Sequence, residues 1–127
     1  MNIEYLRQIF KRDGIGIMGS ADQKGWVDLA IYSPPLIDTE GNLIFGATHR
    51  LTYHNLTQNP HAMFMYICMD KGWEGVRIRL TLIRDESSGP MLERLKRRFE
   101  EMGYTALASE ICHALYFKVE DIWPLKG

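Results

Sequence analysis

The sequence predicts a mainly β protein, a small six-stranded antiparallel barrel with three helices as connectors. Short apolar runs are bounded by glycine, proline and aspartate turn signals, which is typical of strands. From residue 76 to residue 82 every second residue is apolar and the others are arginine or threonine, the pattern of a half-buried strand. Only three segments show helical spacing. At 127 residues the chain is predicted to form one domain, 1–127.

The first third of the chain is predicted to form one helix and two strands. Asp13-Gly14 ends the helix, and Pro34-Pro35 interrupts strand pairing because proline donates no ladder hydrogen bond. A strand edge should therefore stay open at the two prolines. The predicted elements are a helix over residues 3–12, a strand over 15–20, a hairpin turn at 22–25 and a strand over 26–33.

The rest of the chain is predicted to form four strands and two helices. Asn59-Pro60 ends the first of these helices, and Ser88-Gly89-Pro90 supplies a cap and a first-turn proline for the second. The predicted elements are strands over residues 42–45, 61–69, 76–84 and 111–119, a helix over 51–58, and a helix from Pro90 to Gly103.

Composition and charge disfavour several classes of function. The net charge of −1 argues against nucleic acid or an anionic membrane as a partner, because both select a basic excess. No apolar run is long enough to span a membrane, and Met1 to Phe10 does not resemble a signal peptide. Cys68 and Cys112 lack a CxxC spacing and are predicted to be buried free thiols, which fits a reducing cytoplasm. We therefore expect a cytoplasmic protein.

The segment from His61 to Met69 is apolar on both of its predicted strand faces. A strand in a small antiparallel sheet normally shows one face to water. The second apolar face is therefore predicted to be covered, either by a partner subunit or by a helix of the same chain.

The segment from Gly46 to Thr52, the corner, joins a strand to a helix and concentrates polar side chains. Thr48, His49, Arg50 and Thr52 bring two hydroxyls, an imidazole and a guanidinium to the start of the helix. Free backbone N–H groups, the helix dipole and Arg50 would all favour an anion there, which predicts a phosphate site. The simpler interpretation is a helix cap beside a solvated charge.

The corner and its surroundings resemble the FMN-binding split-barrel family around pyridoxamine 5'-phosphate oxidase, and the small bacterial FMN-binding proteins in particular. The resemblance rests on Phe45-Gly46-Ala47-Thr48, on Thr52 and on the run from Asn55 to Pro60. It implies a Greek-key split barrel and a homodimer with FMN at the subunit interface. It also implies a flavin-dependent oxidoreductase or an electron carrier that meets a small-molecule redox partner or substrate, whose identity the sequence leaves open. Pyridoxamine phosphate oxidation itself is disfavoured, because no Arg/His substrate pair is found near the C-terminus.

The same resemblance implies which residues would hold FMN. Leu51 and Tyr53 stand where relatives carry a lysine or arginine, so Arg50 must supply the charge to the phosphate, or His49 or His54 must share it. Tyr32 could stack on the ring or simply lie in the core or at its rim, and two tryptophans could reach the site from the second subunit or serve only in packing. The implied contacts are Thr48, Arg50 and Thr52 for the phosphate, with His49 where Arg50 shares that role, the segments Ala30 to Ser33 (with Tyr32) and Phe45 to Ala47 for the ring, and Trp73 and Trp123 from the partner.

Other readings of the polar residues stay open. His49, His54 or His61 could ligate haem, since a branch of the same superfamily binds it through histidine. A cofactor-free binding scaffold is a third possibility. No metal site is predicted, because the four histidines lack tight ligand spacing along the chain. Three arginines form a basic stripe that is either a solvated face or a site for a second phosphate-bearing ligand; they are Arg77, Arg79 and Arg84.

Overall fold

The computed structural model describes residues 1–127, which form seven strands and four helices. The elements, in chain order, are α1 (Ile3–Ile9), β1 (Gly14–Ala21), β2 (Val27–Tyr32), β3 (Leu36–Ile37), β4 (Leu43–Ala47), α2 (Leu51–Gln58), β5 (His61–Cys68), β6 (Gly75–Glu86), α3 (Pro90–Glu101), α4 (Thr105–Glu110) and β7 (His113–Pro124).

The seven strands form one curled antiparallel sheet in the order β2-β1-β5-β6-β7-β4-β3. Strands β5 to β7 follow one another as a meander, and β4 lies beside β7 after the crossover through α2, which is a Greek-key arrangement. Strands β2 and β3 are the two edges of the sheet, and Pro34-Pro35 separates them in sequence. The open edge predicted at the prolines is therefore confirmed, and the sheet is a half-barrel.

The predicted count of six strands is wrong because β3 is a separate strand. It consists of two residues, Leu36 and Ile37, which pair with Ile44 and Leu43 of β4. Two residues are too few to show an alternating pattern. Helix α4 was also not predicted: it has six residues, no side-chain cap at Tyr104, and Ala108 as its only buried residue.

The last two sheet strands are longer than predicted, with twelve residues each. Their pairing contains two register shifts, between Arg79 and Leu80 and between Leu82 and Arg84, which leave Glu120 and Ile83 without a paired partner. Each bulge interrupts the alternation of apolar and polar residues along its strand. The strands predicted from that alternation therefore end before the true ends of β6 and β7.

Apolar side chains form two cores on opposite sides of the sheet. The larger core fills the half-barrel and includes Phe45, Phe64 and Phe117, whose rings meet edge to face. The smaller core lies between helices α3 and α4 and the outside of β4 and β7. Its buried residues are Ile44, Leu92, Leu95, Phe99, Ala108, Ile111 and Ala114.

The remaining outside of the sheet, on β2, β1, β5, β6 and β7, forms the outer face. One cross-strand row runs through it, from Ile31 through Ile17, Met65 and Arg77 to Trp123. On β2 the apolar side chains are strongly exposed, with Ile31 at 74%. Met65 and its apolar neighbours on β5 are half-exposed in the single chain. None of the helices is long and apolar enough to cross a membrane.

Candidate functional site

A cavity of about 430 Å³ lies where edge strand β2 faces the corner and the two C-terminal helices. This volume is within the range of small-molecule sites, roughly 300–1,000 Å³. Most of its lining is apolar, with a polar end at the corner. The lining residues are Asp28, Leu29, Ala30, Ile31, Tyr32, Ser33, Gly46, Thr48, Arg50, Leu51, Thr52, Phe99, Tyr104, Leu107 and Ile111.

The corner forms the polar end of the cavity. Helix α2 begins after Arg50, whose extended backbone makes it the N-cap, and no side chain caps the helix. The backbone N–H groups of the first turn therefore have no side-chain acceptor and are available to an anion. Thr48 and Thr52 add hydroxyls, and Thr52 is only 5% exposed. The simpler interpretation of a side-chain helix cap is not what the structure shows.

Arg50 has a partner that the sequence did not reveal. Its guanidinium Nη2 lies 2.7 Å from Oε2 of Glu110, the last residue of α4. Both side chains are substantially exposed, at 70% and 48%. The carboxylate therefore offsets part of the positive charge that Arg50 presents to the cavity.

A buried hydrogen bond fixes α2 against the sheet. Asn55 donates from Nδ2 to Ser20 Oγ over 3.1 Å, and both residues are buried. A buried polar pair of this kind is costly to break, because each group would lose its partner without gaining water. The middle of α2 is thereby held against β1.

Gly46 forms part of the cavity wall because its backbone approaches the C-terminal helices closely. A Cβ at this position would lie 3.1 Å from Ile111 Cδ1 and 3.5 Å from Phe99 Cε2. The flanking residues Phe45 and Ala47 are buried in the larger core and do not line the cavity. Of the β4 segment predicted to face a ring, the structure therefore brings only Gly46 to the cavity surface.

Tyr32 lines the cavity at the end of β2, together with Ala30 and Ser33. Its ring packs edge to face against Phe45, with centroids 6.0 Å apart. Burial raises the pKa of its hydroxyl, and the Thr52 hydroxyl partly offsets that rise. Tyr32 therefore stays neutral at physiological pH and can donate or accept a hydrogen bond in the cavity.

The two candidate tryptophans do not line the cavity of their own chain. Trp73 is 77% exposed in the loop between β5 and β6. Trp123 lies on the outer face, with the Arg79 guanidinium 4.7 Å from its ring centroid. Their predicted contacts from a second subunit stay predictions.

His49 belongs to a separate group of side chains and does not line the cavity. Its Nδ1 lies 3.4 Å from Nε2 of His113. A potential metal-ligand atom comes from each of His49, Cys112 and His113, and these three atoms lie within 4.8 Å of one another. Chain spacing could not reveal this histidine–cysteine cluster, because His49 belongs to the corner, whereas Cys112 and His113 lie immediately before and at the start of β7. The prediction that Cys112 is buried is also too simple, since its exposure is intermediate.

The other two histidines are exposed and lie elsewhere. His54 contacts Gln58 on the same helix, over 3.2 Å, and His61 contacts Thr81 on the neighbouring strand, over 3.4 Å. Neither lines the cavity, so a share in phosphate binding, as envisaged for His54, has no support in the geometry.

The predicted basic stripe consists of arginines that already have partners. Arg77 donates to the carbonyl oxygens of Pro124 and Lys126, over 2.9 and 3.1 Å. Arg79 pairs with Asp121 at 3.4 Å, and Arg84 pairs with Glu86. The contacts of Arg77 and Arg79 tie β6 to β7 and to the C-terminal tail, whereas the Arg84–Glu86 pair lies within β6. Because all three arginines have partners, the interpretation of the stripe as a structural surface is favoured.

Comparison with known proteins identifies the fold. No family model and no curated protein sequence matches the chain. Among solved structures, an FMN-binding protein from Syntrophomonas wolfei subsp. wolfei matches with a TM-score of 0.85 and 22% identity over 98% of this chain and 86% of that one. A putative pyridoxamine 5'-phosphate oxidase from Listeria innocua matches with a TM-score of 0.73 and 16% identity over 98% of both chains. HutZ, the haem-storage protein from Vibrio cholerae, matches with a TM-score of 0.62 and 13% identity over 98% and 95%. These neighbours are split-barrel proteins, so the resemblance is confirmed at the level of the fold.

Proposed function

We propose that the chain is an FMN-binding redox protein, either a flavin-dependent oxidoreductase or an electron carrier. The proposal rests on one observation: a mainly apolar cavity ends at the start of helix α2, which has no side-chain cap and is flanked by Thr48, Arg50 and Thr52. This arrangement fits a ligand with a flat apolar body and a terminal phosphate. The FMN-binding neighbour with the same fold supports that choice of ligand.

The residues fit the two halves of FMN separately. A phosphate at the corner would accept bonds from the first N–H groups of α2 and from both threonine hydroxyls, and Arg50 would balance its charge. The ring would lie among the apolar side chains of β2, α3 and α4 that line the cavity, which include Leu29 and Phe99. The Tyr32 hydroxyl would donate to a polar edge of the ring. When bound, FMN would supply one- and two-electron transfer, and the chain would supply position and exclusion of water.

We further propose that two chains pack through their outer faces. The exposed apolar side chains of β2 and the half-exposed apolar side chains of β5 together form an apolar patch that is open to water in the single chain. Leu29 and Ile31 belong both to this patch and to the cavity lining. A second subunit on the outer face would therefore also close the side of the cavity that β2 leaves open. Trp123, on the same face, is the side chain proposed to reach the partner's cavity.

The test is reconstitution of the purified protein with FMN. We expect the protein to retain a visible flavin spectrum after gel filtration and to bind riboflavin, which lacks the phosphate, more weakly. Failure to retain FMN at micromolar concentration would overturn the proposal. Retention of FMN and riboflavin with equal affinity would instead reject the corner as the phosphate site.

Haem binding is a second candidate, because a haem-storage protein shares the fold and because the His49 side chain of the corner is exposed. Titration with haem distinguishes the two functions. A Soret band that disappears in His49→Ala would favour haem, whereas an unchanged spectrum would reject His49 as its ligand.

A further inference from the structure

We propose that His49, Cys112 and His113 form a binding site for a zinc ion on the side of the corner that faces away from the cavity. The three residues do not line the cavity, although Thr48, Arg50 and Ile111, their neighbours in sequence, do. The proposal does not depend on FMN binding.

The distance between the two histidine rings matches the spacing that zinc requires. Zinc–nitrogen bonds are about 2.0–2.1 Å, so two nitrogens on a tetrahedral ion lie about 3.3–3.4 Å apart. His49 Nδ1 and His113 Nε2 are 3.4 Å apart. A hydrogen bond between the two rings would give a similar distance without any metal. Such a bond would not require Cys112, whereas the proposed zinc site does, so a Cys112 variant distinguishes the two explanations.

Cys112 supplies the third ligand after a small movement. With a zinc–sulfur bond of about 2.3 Å, the sulfur would lie about 3.6 Å from each nitrogen. The ligand atoms now lie within 4.8 Å of one another. A rotation of the half-exposed Cys112 side chain that moves its sulfur by about 1 Å would therefore complete the set. A thiolate with two imidazoles suits zinc better than a hard cation, which prefers oxygen.

His113 is already held in the orientation of a metal ligand. Its Nδ1 lies 2.8 Å from Asp85 Oδ1, so Nδ1–H donates a hydrogen bond to the carboxylate and the Nε2 lone pair is directed toward His49. Asp85 in turn accepts a hydrogen bond from the Tyr53 hydroxyl over 2.7 Å. The Tyr53 ring stacks on His113 with centroids 3.9 Å apart and an interplanar angle of 16°. A carboxylate that orients a histidine in this way is a recurrent feature of zinc sites.

The coordination would be incomplete and accessible. Three protein ligands leave the fourth tetrahedral position to water, and His49 is exposed at the protein surface. A site of this kind can exchange its ion or bind a further small ligand, whereas structural zinc sites are closed by four protein ligands.

The test uses tag-free protein, stripped with a chelator and titrated with zinc in competition with a chromogenic chelator. Cobalt is titrated in parallel, because a thiolate ligand gives it a sulfur-to-metal charge-transfer band. The variants are Cys112→Ser and His49→Gln, which alter half-exposed and exposed side chains, so the fold does not depend on them; the buried His113 is left unchanged. His61→Gln, an exposed histidine outside the cluster, is the matched control.

We expect one zinc per chain, with at least about tenfold weaker binding in both variants and unchanged binding in the control. The cobalt band should be absent from Cys112→Ser. Asp85→Ala should weaken zinc binding by about 10- to 100-fold, because His113 loses the carboxylate that orients it. Absence of zinc binding by the unmodified protein would overturn the proposal, as would binding that neither Cys112→Ser nor His49→Gln weakens. A cobalt complex without the charge-transfer band would reject Cys112 as a ligand and the three-residue site with it.

Discussion

The Arg50 guanidinium lies 2.7 Å from the Glu110 carboxylate, so the cation at the corner is paired within the chain. Because Arg50 lines the cavity and Glu110 ends α4, the pair joins two walls of the proposed FMN site. An exposed pair of this kind contributes only about 0.2–1 kcal/mol. It is therefore weak enough for a phosphate dianion to compete with it.

Glu110→Gln is expected to strengthen FMN binding by about two- to fivefold, because the substitution removes the competing charge and preserves the shape of the side chain. Fluorescence titration measures the dissociation constant. Riboflavin affinity should not change, and Glu101→Gln on the exposed face of α3 is the matched control. Weaker FMN binding in Glu110→Gln would show that the carboxylate positions Arg50 instead of competing for it.

Arg50→Ala is expected to weaken FMN binding by about ten- to a hundredfold, since a charge-assisted bond to phosphate contributes about 1.5–3 kcal/mol. Thr52→Val should cost less, because it removes one neutral donor. Riboflavin should bind both variants as it binds the unmodified protein. If Arg50→Ala retained full FMN affinity, the phosphate site would have to lie elsewhere.

Met65→Lys is expected to convert the proposed dimer to monomers, because Met65 lies at the middle of the outer-face row and a lysine there would be buried without a partner. The dissociation constant should rise by at least about a hundredfold, as measured by analytical ultracentrifugation. Ile83→Lys, an exposed apolar residue at the β6 bulge, is the control. A monomeric unmodified protein, or a variant that stays dimeric, would contradict the outer face as the interface.

Short-range sequence patterns correctly predicted the helices and strands that have clear end signals or a regular alternation of apolar residues. The helix from Leu51 to Gln58 is confirmed at both ends, because Asn59-Pro60 stops it and the corner starts it. The buried row of β6 is confirmed for Val76, Ile78 and Leu80. Helix α4 and strand β3 were missed, because six residues and two residues carry too little pattern.

Contacts between distant residues could not be predicted from spacing. Arg50 and Glu110 are 60 positions apart, and His49 and His113 are 64 apart. Both contacts arise because β7 pairs with β4, which brings the start of β7 beside the corner. The strand order that causes this is a property of the whole sheet, so the candidate site was predicted at the corner but without its partners.

Gly16→Ala is expected to lower the free energy of unfolding by about 1–3 kcal/mol. A Cβ at Gly16 would lie 2.2 Å from the Tyr32 carbonyl oxygen and 2.6 Å from Phe64 Cζ, so strand β2 would have to move. Urea unfolding of the FMN-free protein measures the loss. Gly19→Ala, in the same strand but with its nearest neighbours at 3.4 Å, should cost clearly less. Equal losses would show that β2 yields freely at Tyr32.

Tyr53 should make the stability of the protein sensitive to alkaline pH. Its hydrogen bond to Asp85, assisted by burial, raises the pKa of the Tyr53 hydroxyl to about 12, compared with about 10 in an unfolded chain. As the pH rises through this window the unfolded chain loses its proton first, so the free energy of unfolding falls. Below about pH 10 both states keep the proton and the stabilisation is fully present.

Urea unfolding at several pH values between about 9 and 12 should therefore show a smaller fall for Tyr53→Phe than for the unmodified protein. Some slope should persist in the variant, because burial and Glu86 also raise the pKa of Tyr116 to about 12. Tyr5→Phe, which changes an exposed tyrosine on α1, is the control and should keep the full slope. A Tyr53→Phe variant with the full slope would mean that the Tyr53–Asp85 bond does not persist in solution, and the orientation of His113 that depends on Asp85 would then lose part of its support.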